Sequence, residues 1–222
     1  MRPTEPAVPT EAAEAGAKAR PARARGRPRA FDREAALAQA MRLFWQKGYD
    51  ATSIADLTDA MGIASPSLYA AFGSKEALYI EALEHYATTF AWGWKSFQEA
   101  PSAREAVQAW LMESAAFLTG NVLDVPLGCM VTLSGVGTAG HPELCALTRT
   151  MRLTSRPVIK TRLEQGVANG EIPASVDLDA LARFVQIIQN GMSLQARDGA
   201  TRAELEAVAQ LAMRGWDGLV RG

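Results

Sequence analysis

From residue 32 onward, apolar side chains recur every three or four positions, the period of an α-helix. Leu37, Met41 and Phe44 follow i, i+4 and i+7, with Asp32 placed as the N-cap and Gly48 at the stop. Leu83, Ala87, Phe90, Trp94 and Phe97 make one face of a long helix predicted to begin near Ser74. Ser102-x-x-Glu105 is a capping box, and Val107, Leu111, Ser114 and Leu118 continue its helix. The run 158-VIKTRLEQGVANGE-171 reads as the end of a helix that Pro157 kinks or interrupts. A second box, Thr201-x-x-Glu204, opens the last helix, whose face is Leu205, Val208, Ala212, Trp216 and Leu219. Before it, Leu181, Phe184, Val185, Ile187, Ile188 and Met192 leave little polar surface over about 178–196. A helix apolar nearly all round is covered on both sides, so one side is expected on its own core and the other on a partner chain. With no alternating strand pattern and no internal repeat, the pattern predicts an all-α fold.

The densest signal is 52-TSIADLTDAMGIASPSLYAAFGSKEALY-79. Thr52 and Ser53 supply a helix start, and Ile54, Leu57 and Met61 form the inward face of a short helix. Gly62 follows, where a positive φ can end the helix and turn the chain, and Ile63 plugs the turn. Ser65 is the expected cap of a second short helix, with Pro66 in its first position, where a missing N–H costs nothing. Leu68, Ala71 and Phe72 face inward, which leaves Ser65, Ser67, Tyr69 and Ala70 outward. Gly73-Ser74 closes that helix and starts the next, with Lys75 in its first turn. Two short helices joined by a glycine turn are helix-turn-helix geometry, about 53–72. A plain helical hairpin inside a bundle has the same outline but predicts no particular residues on the exposed face.

Residues 31–79 resemble the DNA-binding domain of the TetR/AcrR family of bacterial repressors. The resemblance rests on Phe44, Gly48, Tyr49, Thr52, Gly62, Leu68-Tyr69, Phe72 and Ser74-Lys75-Glu76, with Thr58 standing where the family usually has alanine. It implies a three-helix DNA-binding domain at 31–79, followed by a helical ligand-binding and dimerisation domain at 80–222. It also implies that the helix at 65–72 enters the major groove, with Ser65, Ser67 and Tyr69 reaching bases or phosphates. Phosphates would be held at the helix starts of Thr52-Ser53 and Lys75. The recognition helix carries no Arg, Lys, Asn or Gln, so bidentate base readout is not available from it. The implied partners are a double-stranded DNA operator, a small-molecule effector and a second copy of the chain. Phe184, Ile188, Met192, Leu205, Ala212 and Trp216 are expected in a four-helix dimer interface.

Charge then adds an asymmetry that the formal net of −1 conceals. Residues 1–30 carry seven basic and three acidic side chains, and 18-KARPARARGRPRA-30 has six basic residues and no acid. Such a segment buries too little apolar surface to offset its ordering entropy and reads as a disordered basic arm. Arg25-Gly26-Arg27-Pro28-Arg29 resembles the core of a minor-groove AT-hook. A solvated basic tail adding sequence-independent attraction stays open beside it, and in both cases Arg25, Arg27 and Arg29 are candidate DNA contacts. At 48% hydrophobic and 21% charged, the chain is otherwise ordinary for a folded soluble protein. No apolar run approaches the roughly 20 residues that span a bilayer, so no membrane partner is expected. The N-terminus lacks the apolar core of a secretory signal, and two cysteines make no disulfide framework; a reducing cytoplasm is the expectation.

Candidate chemistry beyond DNA is sparse. Gly135-x-Gly137-x-x-Gly140 has the spacing of a dinucleotide-binding turn. That turn needs a strand before it and an acid about 20 residues on; Lys160 stands there, and Glu164 lies in the helical pattern. The match therefore reads as a connection between helices, and no cofactor is expected. His85 and His141 have no metal-ligand spacing, and no nucleophile–base pair is visible, so a catalytic reading finds no constellation. An interaction protein without DNA binding is the other class compatible with the helical pattern. The family's effector pocket would be lined by Phe90, Trp94, Trp110, Phe117, Met130 and Met151, although helical spacing alone makes each of these an ordinary core residue. Its Trp and Met content favours an apolar or aromatic effector. Cys129 is either an electrophile or oxidant sensor or an inert buried thiol. The expected function is a ligand-responsive repressor released from a palindromic operator.

Overall fold

Asp32 stops the first helix from starting earlier: its carboxylate accepts the Ala35 N–H at 3.0 Å. The computed structural model describes residues 32–134 and 140–221. The arm with Arg25, Arg27 and Arg29, and the turn residues Gly135 and Gly137, lie outside the described residues. Helices α1 (Arg33–Lys47), α2 (Ile54–Met61), α3 (Ser65–Phe72) and α4 (Lys75–Thr89) come first. A 3-10 turn at Ala91–Trp94 leads into α5 (Lys95–Glu99) and α6 (Ala103–Leu118). The one-turn α7 (Met130–Leu133), α8 (Pro142–Leu153) and α9 (Ser155–Ala168) follow. Helices α10 (Leu178–Arg197), α11 (Arg202–Arg214) and α12 (Trp216–Arg221) complete the chain, with no strand among the described residues.

Two apolar cores form inside one compact unit. The first gathers Leu37, Met41, Phe44 and Trp45 of α1, Leu57 of α2, Leu68 and Phe72 of α3, and α4 as far as Tyr86. It also takes Met130 from α7 and Leu144 from α8. The second gathers faces of α5, α6 and α9 to α12, with Trp110, Leu111, Ile159, Leu163, Val185, Leu205 and Trp216 among its buried members. Phe117 and Cys129 pack against both.

Several boundaries differ from the sequence pattern for local reasons. The predicted helix over 74–97 breaks after Thr89. Phe90 leaves the helical region (φ −104°, ψ 13°), and the 3-10 turn lets Trp94 stack on Trp110 in the second core. Its periodicity was real, but its residues serve two cores. Pro157 falls within the first turn of α9, and the missing N–H coincides with a break at Thr154, between α8 and α9. The Ser102 hydroxyl caps α6 as expected, but the Glu105 carboxylate accepts from that hydroxyl at 2.7 Å rather than from the Ser102 N–H, so the box is not reciprocal; the next N–H, of Ala103, donates to Glu171. The Thr201–Glu204 box closes reciprocally. The last helix is interrupted at Gly215, between α11 and α12. Met130–Leu133, which would have to be a strand before a dinucleotide turn, is helical.

Candidate nucleic-acid interface and internal cavity

Ser53 makes α2 possible. Its hydroxyl accepts the Asp56 N–H at 3.0 Å, and the Asp56 carboxylate accepts the Ser53 N–H at 2.9 Å, a reciprocal cap. Lys47 of α1 donates to the same carboxylate at 2.8 Å. That ammonium, with the Ser53 N–H and hydroxyl, holds the Asp56 carboxyl well below the usual carboxylate range. Gly62 ends α2 in the left-handed region (φ 65°, ψ 33°), where a Cβ would be strained although it has room. The cap of α3 is Ala64 rather than Ser65: the Ala64 carbonyl accepts from Ser67 and Leu68, so Ser65 and Pro66 already belong to the helix.

The outcome is a short helix with two distinct sides. Leu68 and Phe72 are buried in the first core, while Ser65, Ser67 and Tyr69 are exposed, Tyr69 by 47%. Arg33 of α1 braces its far end: the guanidinium lies 4.4 Å over the Phe72 ring, reaches the Ala71 carbonyl at 3.4 Å and pairs with Glu81 of α4 at 2.6 Å. Ser74 then caps α4, and Lys75 opens it with its ammonium 4.2 Å over the Tyr49 ring. Partial burial there draws the Lys75 pKa down. Thr52 is placed differently from the other candidates. It is fully buried, its hydroxyl donates to the Gly48 carbonyl at 2.6 Å and its N–H to Tyr49, so it organises the loop before α2 and presents no free donor. The exposed α3 side chains and the start of α4 face outward, while at the start of α2 the Ser53 N–H and hydroxyl are already taken by the Asp56 carboxylate.

The cavity, of about 330 Å³, is lined from α4, the 3-10 turn, α6, α7, α8, α10 and the segments beside them. Phe90, Trp94, Trp110, Phe117, Cys129 and Met151 all line it. Met130 does not: its side chain turns into the first core, where it is buried. The periodicity missed the polar wall of Glu113, Thr132, Arg152, Gln189 and Asn190, which only packing brings together. Tyr86 donates its hydroxyl to the Cys129 sulfur at 3.2 Å, and burial, with Cys129 beside it, pushes that phenol well above its usual range. No cluster of three potential metal ligands occurs among the described residues.

Cavity and interface are physically joined. The Trp45 ring of α1 meets Tyr86 at 4.9 Å, Phe90 at 5.7 Å and Phe117 at 6.0 Å between centroids, and all three rings line the cavity. Arg197, in the last turn of α10, donates to the Trp45 and Gln46 carbonyls at 2.6 and 2.9 Å, closing the end of α1 with a cation. Helix α8 places Leu144 in the first core and Met151 in the cavity wall, and His141 at its start meets the Tyr49 ring edge-on at 4.9 Å.

The predicted dimer residues separate into two groups. Met192, Leu205 and Trp216 are buried in the second core of their own chain. Phe184, Ile188 and Ala212 instead line a shallow outer groove with Val208, Leu211, Gly215, Gly218 and Leu219. The apolar periodicity of α10 and α11 merged an inner face with an outer one. Ile187 and Leu211 are the most exposed large apolar side chains described, at 61% each.

Comparison with known proteins agrees with this geometry. The family model described as bacterial regulatory proteins of the tetR family matches residues 36–82. The chain is 38% identical over 206 residues to the HTH-type transcriptional repressor ComR of Escherichia coli (strain K12), covering 90% of this chain and 95% of that one. It is 32% identical over 188 residues to the HTH-type transcriptional repressor BdcR of the same organism, covering 84% and 90%. Among solved structures, a cysteine mutant of the TetR family transcriptional regulator CifR, complexed with 26bp double-strand operator DNA, is 41% identical with a TM-score of 0.81, covering 86% of this chain and 100% of that one. Because the similarity runs well beyond the matched turn and through the helices around the cavity, the chain belongs to the TetR family of bacterial transcriptional regulators.

Proposed function

We propose that the protein is a dimeric repressor that binds a palindromic operator and is released from it by a small apolar or aromatic effector. The observation that carries the DNA half is the two-sided α3: Leu68 and Phe72 anchor it, leaving Ser65, Ser67 and Tyr69 outward. Those three residues face base edges or phosphates in the major groove, while Lys75 and the backbone N–H groups that follow the Ser53 cap of α2 hold flanking phosphates from helix starts. That CifR is complexed with operator DNA supports the same use of this surface. In this reading residues 31–79 are the DNA-binding domain and residues 80–222 hold the effector and dimerise, with Arg25, Arg27 and Arg29 of the arm adding phosphate or minor-groove contacts. A second copy covers Phe184, Ile188 and Ala212, setting two recognition helices one helical turn apart, about 34–36 Å. The effector occupies the cavity beside Phe90, Trp94, Trp110, Phe117, Cys129 and Met151, and it favours a dimer whose recognition helices no longer match that spacing. The test is footprinting of the full chain on genomic DNA. A protected palindrome is expected; its absence everywhere sinks the proposal.

A second reading has one observation behind it: the Cys129 sulfur faces the cavity and accepts the Tyr86 hydroxyl. An electrophile or oxidant modifying that sulfur would break the bond and act as the effector. N-ethylmaleimide should then abolish operator binding by the wild-type chain and leave Cys129→Ser bound; equal loss in both removes this reading.

A further inference from the structure

Two charged side chains line the cavity, Glu113 and Arg152, and they do not pair with each other. Arg152 donates from Nη1 to the Ser134 carbonyl at 3.2 Å. The Glu113 carboxylate makes no hydrogen bond or ion pair among the described residues, although the residue is only partly exposed. Its surroundings are aromatic. On α6 it stands three residues after Trp110 and four before Phe117, so the carboxylate shares one helix face with both rings. Trp94 stacks on Trp110 with centroids 5.0 Å apart at 19°, and Trp92, half-exposed at the rim, meets Phe117 edge-on at 6.2 Å. A carboxylate drawn partly out of water with no partner is unfavourable, and a ligand cation relieves it while gaining the electron-rich ring faces.

We infer that the cavity takes an organic cation, an ammonium group on an apolar or aromatic body. The positive end lies against Glu113 among Trp92, Trp94, Trp110 and Phe117. Arg152, on α8, sets the opposite requirement: held by the Ser134 carbonyl, it favours a hydrogen-bond acceptor and no second positive charge on the rest of the ligand. A volume of about 330 Å³ limits the ligand to a small molecule. The inference rests on the reading of this cavity as the effector site.

The test compares benzyltrimethylammonium with neopentylbenzene, which has the same shape with carbon in place of the charged nitrogen. Binding to the full chain is followed by tryptophan fluorescence, and operator binding by anisotropy of labelled DNA. The cation should bind at least tenfold more tightly than its isostere. Glu113→Gln should cut the cation's affinity about tenfold, roughly 1.4 kcal/mol, and leave the isostere's unchanged. Equal affinity of the wild-type chain for both probes overturns the inference whether or not the variant folds, and equal loss of both probes in a folded Glu113→Gln does so as well. Glu113-dependent cation binding that leaves the operator bound upholds the cation assignment and removes the cavity from the release mechanism. Release by neopentylbenzene with no binding of the cation does the reverse.

Discussion

The side chains at the DNA-facing surface divide into those that build it and those that present it. Ser53 and Asp56 build: each satisfies the other's backbone N–H at the start of α2. Ser53→Ala should cost about 1 kcal/mol in urea unfolding. Asp56 adds a pH dependence of definite sign. Its folded pKa lies below the unfolded value of about 3.9, so its stabilisation is complete above that value and fades as the pH falls. The stability gap between wild type and Asp56→Asn should therefore be larger at pH 7 than at pH 3; an equal gap would mean that Lys47 and Ser53 do not hold the carboxylate in solution. Tyr69 and Lys75 present. Tyr69→Ala should weaken operator binding about tenfold, roughly 1.4 kcal/mol, with the dimer intact. Lys75→Ala should lower the slope of log affinity against log salt by about one, as expected for one lost phosphate contact. Thr52, by contrast, serves from inside, and its family match is accounted for by its bond to Gly48.

At the scale of elements, the segment from Gly128 to Leu133 ties the two cores together. Gly128 has φ 78°, and a Cβ there would meet Leu133 Cδ1 at 2.4 Å and the Ser193 carbonyl at 2.8 Å. The close approach lets the Cys129 N–H donate to the Ser193 hydroxyl of α10 at 2.8 Å, and Thr132 bond Asn190 at 3.2 Å. Gly128→Ala should therefore destabilise by about 1–3 kcal/mol, seen as a lowered Tm, because both the backbone angle and a backbone neighbour oppose the added methyl. An unchanged Tm would show that α7 is free to move off α10. Helices α8 and α1 touch both the first core and the cavity or its lining rings. They are the elements through which an occupied cavity can reach α3, and Arg197 and Trp45 are the contacts that would have to shift.

For the whole molecule, family membership makes the chain a regulator of transcription, and the proposed symmetry is what turns one α3 into an operator reader. Ile187→Glu or Leu211→Glu should leave the fold intact, since both side chains stand outside the second core, and should yield monomers in size-exclusion chromatography with operator binding lost. Met192→Ala should instead unfold the chain more easily, because that residue lies within the core. Deleting residues 1–29 should weaken binding and flatten its salt dependence by a few units of slope. An unchanged slope removes the arm from the complex.

The amino-acid sequence alone determined the helical class, the caps at Asp32, Ser53, Ser74, Ser102 and Thr201, the glycine turn at Gly62 and the exposed side of α3. These depend on residues within a turn or two of one another, and such local chemistry can be read from spacing; the Asp177 cap of α10, by contrast, was found only in the fold. What tertiary structure decided was direction at longer range. Periodicity marks a side chain as apolar-facing without saying which apolar neighbour it meets, so Trp94 and Tyr86 went to different cores, Met130 left the cavity, and Met192, Leu205 and Trp216 turned inward while Phe184 and Leu211 turned out. The polar wall of the cavity was unreadable for the same reason: Glu113, Arg152 and Asn190 lie far apart in the chain, and only the packing of α6, α8 and α10 sets them around one space.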